Sequence, residues 1–121
     1  MINETLDAVR DLYASKSYDA ALIELDGYEK EHELTAEMLL LKGRLIQLSE
    51  SGARPLVEAK QSFLSALRQD RDNVSALVEL GWLCTNVLDE HEAGRRYFLE
   101  ALKKCDVFRD EATRGLKSSE E

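Results

Sequence analysis

Along the chain apolar residues return every three or four positions almost throughout, and no segment alternates strictly between apolar and polar. A period near 3.6 predicts amphipathic helices and speaks against half-buried strands. Start signals divide the pattern. Asn3, Ser17 before "YDAALIELDGYEK", Thr35 before "AEMLLLKGRLIQL" and Asn73 before "VSALVELGWLCTNV" are placed as N-caps. Pro55 suits the first turn of "PLVEAKQSFLSALRQD", where its missing N–H has no partner to lose. Asp89, with Glu92 three residues on, reads as a capping box opening the sixth helix. Six helices with short connections imply an all-α domain of three antiparallel hairpins.

Two glycines interrupt this pattern, Gly43 in "LLLKGRLIQL" and Gly81 in "LVELGWLCTN". Inside a helix each costs about 1 kcal/mol relative to alanine. Both lie at the same distance from their caps, Thr35 and Asn73, so the two helices share a register. The helices that follow share another, with Ala59, Phe63 and Ala66 in one and Gly94, Phe98 and Ala101 in the next. A first-helix glycine opposite a second-helix alanine or glycine would let two backbones approach, with the aromatic filling the edge of the contact.

This arrangement resembles the tetratricopeptide-repeat family, whose unit is a helical hairpin of about 34 residues. The resemblance rests on Leu39, Gly43, Ile46, Ala59, Phe63 and Ala66 in residues 35–72, and on Leu77, Leu80, Gly81, Cys84, Gly94, Phe98 and Ala101 in residues 73–106. Residues 1–34 match weakly, through Leu12, "YDAA" and Leu25. Leu39 and Leu77 stand where the family usually has tryptophan, and the loop "LSESGARP" is long for it, as in the related Sel1-like repeats. The resemblance implies a right-handed α-α superhelix, with 107–121 as a short capping helix and polar tail covering the last hairpin.

Composition narrows the class. The 121 residues suit a single domain, and 44% hydrophobic residues with one proline and 6 glycines fit a helical globular chain. A net charge of -8 opposes non-specific attraction to nucleic acid or to an anionic membrane. "MINETLDAVRDLYASK" carries no export pattern and no apolar run reaches membrane length, so a cytoplasmic location is expected. Cys84 and Cys105 are expected as free thiols, Cys84 buried.

No catalytic, cofactor or metal motif accompanies these features. His32 and His91 sit in the acidic runs "YEKEHELT" and "LDEHEAG" near helix ends, without the spacing of a zinc or catalytic site. "DRDN" lacks the glycine and later glutamate of a calcium loop and reads as a turn.

The candidate site is therefore a surface. In tetratricopeptide repeats the first helices line a concave wall. The resemblance places Leu6, Arg10 and Tyr13, then Leu40, Arg44 and Gln47, then Val78, Trp82, Thr85 and Asn86 in that groove. An apolar strip with two arginines and a tryptophan suits a protein or peptide segment bearing hydrophobic and acidic residues, so a non-catalytic adaptor or chaperone-like binder is expected. The lysines and asparagines of the family's carboxylate clamp are absent, since their places hold Leu6, Arg10, Leu41, Ser75 and Glu79. The alternative is a structural protein whose stacked ends form a homo-oligomer, the groove being filled by a neighbouring chain.

Overall fold

The computed structural model of the chain describes residues 2–119. Six helices follow in order: α1 Ile2–Ala14, α2 Tyr18–Glu29, α3 Ala36–Leu48, α4 Leu56–Gln69, α5 Val74–Asn86 and α6 His91–Ser119. No strand occurs among the described residues. None of these helices is long and apolar enough to cross a membrane.

The caps explain most of the boundaries. The Thr35 hydroxyl accepts a hydrogen bond from the Met38 amide at 3.2 Å, and the Asn73 side chain accepts one from the Ala76 amide at 3.1 Å. Each satisfies one orphan donor and contributes about 1 kcal/mol. Pro55 holds an extended backbone at the N-cap, so α4 begins one residue later. Ser17 caps α2 by position alone, without a side-chain bond to the helix. Asn3 lies inside α1 instead of before it.

At α6 the expected capping box does not form. Asp89 adopts a left-handed φ of 55°, and its carboxylate lies 2.7 Å from Nε2 of His91. The first helical bond runs instead from the Gly94 amide to the Glu90 carbonyl at 3.0 Å. Lys16 is the other left-handed residue other than glycine, at φ 63°. There the Ser17 amide donates to the Leu12 carbonyl and the Lys16 amide to that of Tyr13, the double bond that closes a helix C-terminus where glycine is usually found.

The helices fall into two compact units, α1–α4 and α5–α6, meeting at residues 71 and 72. In the first, α1 packs on α2, α2 on α3 and α3 on α4. Val9, Leu25, Met38, Leu45 and Phe63 are its largest fully buried side chains. Ser62, buried among them, donates its hydroxyl to the Leu39 carbonyl at 2.7 Å. In the second, α5 packs on α6 over Leu77, Leu80, Leu83, Cys84 and Ala101.

The glycines serve close contact, in both cases against an aromatic ring. A methyl group added at Gly43 would reach 2.5 Å from Cζ of Phe63, so the ring lies directly on the glycine. At Gly81 the added carbon would stand 2.6 Å from the Phe98 ring. Here the small-on-small contact is present as well, because a methyl at Gly94 would come 2.9 Å from the Gly81 carbonyl and collide with the Thr85 hydroxyl.

The seventh helix expected at 107–121 is replaced by a continuation of α6, which runs 29 residues without a break. Nothing between Cys105 and Phe108 would stop it, since that stretch holds neither glycine nor proline. All residues from Cys105 to Ser119 are exposed, so this segment does not cover the α5–α6 hairpin; the last two residues lie outside those described.

Candidate functional site

The expected groove residues divide between the two units. Leu6 is 8% exposed and belongs to the core of α1–α4, facing inward because it shares a stripe with Val9. Arg10 is exposed but committed: its guanidinium bonds the Glu37 carboxylate and lies 3.9 Å from Asp7. Tyr13 is half-buried and stands edge-on to Tyr18, ring centroids 5.8 Å apart. Leu40, Arg44 and Gln47 are half-buried on α3, and the Gln47 amide donates to the Gly43 carbonyl of its own helix. Much of the polar capacity expected to meet a partner is thus used within the unit.

In the second unit Thr85 lies against Gly94 inside the α5–α6 contact, which removes it from an open surface. Asn86 is exposed at the end of α5. Val78 and Trp82 remain, and the structure brings them together. With Val74 they recur at every fourth position of α5, and Phe98, Leu102 and Cys105 face them from α6. Between them lies a depression of about 410 Å³, floored by Ala101 and lined by no charged side chain among the described residues. Its six-membered ring from Phe98 stands at 76° to the Trp82 indole with centroids 5.1 Å apart, an edge-on geometry favourable to aromatic quadrupoles. Trp82 is nevertheless 55% exposed.

Val74, Phe98, Leu102 and Cys105 were not among the expected groove residues. Their signal was present for Val74, one turn before Val78 on the same stripe. For the α6 residues it was hidden, because Phe98 reads equally well as pure filling for Gly81.

The remaining polar clusters are structural in form. Arg54, from the long loop before α4, donates to both carboxylate oxygens of Asp26 at 3.2 and 3.1 Å, and to Glu58 at 3.1 and 2.6 Å. The hydrogen bond from Arg54 holds the Glu58 carboxyl below its ordinary range, against an opposing effect of burial and with help from the charges of Arg54 and Lys42. The same bond raises the Arg54 pKa further, against the opposing effect of burial. His32 packs on Tyr28, ring centroids 4.8 Å apart, and His91 pairs with Asp89. No group of three His, Cys, Asp or Glu side chains among the described residues is arranged to hold a metal ion.

Comparison with protein-family models, with curated proteins and with solved structures yields no match.

Proposed function

We propose that this chain is a non-catalytic protein-binding module that holds an apolar segment, helical or extended, of a protein partner in the depression between α5 and α6. The observation that carries the reading is a half-exposed tryptophan in an uncharged concave surface. Leaving indole, phenyl and leucine surface in water is unfavourable by about 25 cal/mol per Å², and contiguous apolar patches of this kind mark interaction sites. Trp82 is placed to act as the central anchor, with Phe98 as its support.

The tetratricopeptide-like superhelix belongs to the same proposal. It is supported by the repeated glycine-on-phenylalanine contact, Gly43 with Phe63 and Gly81 with Phe98. So does a cytoplasmic setting. The partner's hydrophobic residues dominate recognition. Acidic residues contribute less than the arginine pair first implied, because Arg10 already carries Glu37.

The test compares capture of a partner from native extract by the wild type with capture by Trp82→Ala and by Leu102→Asp, after each variant is shown to keep its helical circular dichroism. Loss of the tryptophan anchor is expected to cost at least about 2 kcal/mol, close to thirtyfold in affinity, chiefly as faster dissociation. A folded double variant that binds the same partner as tightly as the wild type would move the site elsewhere.

A further inference from the structure

We propose that the occupant of this depression is the C-terminal half of α6 from a second copy of the chain, the two α6 helices pairing antiparallel about a twofold axis near Val107. The inference rests on the reading of the depression as a docking site and names its partner.

The socket and the segment that fits it lie on one helix. Phe98, Leu102 and Cys105 present the α6 wall of the depression, and the same helical stripe continues through Arg109, Ala112 and Leu116, with Phe108 at its edge. Phe108 and Leu116 are 45% and 68% exposed, and the residues around them are all open to water. Lys104 reaches Asp72, just ahead of α5, at 3.1 Å, and Val107, Phe108 and Glu111 line a shallow depression with Asp72; every residue of the roughly 20 Å of helix beyond Lys104 is exposed.

A twofold axis crossing α6 near Val107 would fill both sockets at once, the self-complementary condition of a symmetric dimer. Leu116 of one copy then lies against Phe98 and Leu102 of the other. Ala112 falls beside Leu102 and Cys105, where its small side chain permits close approach. Charge selects the direction. Antiparallel pairing sets Asp106 of each copy across from Arg109 of the other, whereas parallel pairing would stack Arg109 on Arg109 and leave both sockets empty.

Sedimentation velocity of the full chain, from low micromolar to submillimolar concentration, is expected to show a monomer–dimer equilibrium. Leu116→Asp, at a position 68% exposed and hence harmless to the fold, should yield a monomer with unchanged helical circular dichroism. Asp106→Arg and Arg109→Asp should each weaken the dimer roughly tenfold or more, and the combined exchange should restore it. A short bis-maleimide should join two chains through Cys105, the exposed thiol, since Cys84 is buried. A peptide of residues 105–119 added to the Leu116→Asp variant, whose own socket is intact, should shift Trp82 emission to the blue. A chain that stays monomeric throughout overturns the pairing, as does a dimer indifferent to Leu116→Asp or not restored by the charge exchange. The docking site has a separate readout: Trp82-dependent capture of another protein by a strictly monomeric chain would retain the site and refute the second copy as its occupant.

Discussion

Phe98 sits between Gly81 and Trp82, its ring within 2.6 Å of where a Gly81 methyl would be and edge-on to the indole at a centroid distance of 5.1 Å. One side chain therefore joins the close packing of the hairpin to its open surface. The absence of a side chain at Gly81 is what lets the ring lie deep enough on α5 to support Trp82 from the side. Its counterpart Phe63, on Gly43, is fully buried and has no such second task.

That difference makes the two glycines unequal. Gly43→Ala must displace a ring with no free space around it, whereas Gly81→Ala meets a half-exposed ring that can swing toward solvent. Thermal melts should show the larger loss at Gly43. Valine at either position should cost about 1 to 3 kcal/mol through overpacking. Phe63→Leu combined with Gly43→Ala should recover part of the loss, and strict additivity of the two changes would contradict the contact.

Trp82 is the single tryptophan, so fluorescence reports the depression without labelling. Its emission should be strongly quenched by acrylamide under conditions where the chain is monomeric, and less so when the site is filled. Trp82→Ala removes the aromatic pair and should destabilise the fold by about 0.5 to 1.5 kcal/mol. A loss beyond about 3 kcal/mol would indicate a core residue instead of a surface anchor.

The Arg54 cluster predicts a dependence on acid. Because the folded Glu58 carboxyl titrates below its ordinary value of 4.5, the unfolded chain takes up the proton first as pH falls. The stabilisation is complete above that value and is lost as pH drops through the lower, folded value. Glu58→Gln should therefore reduce the melting temperature at neutral pH, and the gap from wild type should shrink as pH falls below 4.5 and through the lower, folded value. A gap that stays constant with pH would mean the carboxylate charge is not used.

Lys16 offers a gain. A β-carbon in the left-handed region costs roughly 1 kcal/mol, and glycine avoids it at the price of a more flexible unfolded chain. Lys16→Gly should raise stability by about 0.5 kcal/mol, measured by denaturant midpoint at constant slope. A decrease would show that the Lys16 side chain contributes more than its backbone strain removes.

The helices were legible in the sequence because their determinants are local: apolar spacing, the Thr35 and Asn73 caps and Pro55 act within a few residues of where they stand. The shared register of Gly43 and Gly81 was legible for the same reason, and so was the participation of Phe63 and Phe98 in their contacts. Which side chain meets which was not. Periodicity identifies the apolar face of one helix, yet only the packing of a second helix decides how deeply the Phe63 ring lies on Gly43. Arg10 and Glu37 lie 27 residues apart, and Arg54 and Asp26 28 apart, so no local pattern reveals that these charges are already partnered. Leu6 and Trp82 both occupy expected groove positions, but one packs into the core and the other remains open, because burial depends on the neighbours that tertiary structure brings. The continuation of α6 past Cys105 follows from local sequence, which contains no stop signal there. Its consequence, an exposed helical stripe continuing from the depression, exists only once α5 and α6 are placed side by side.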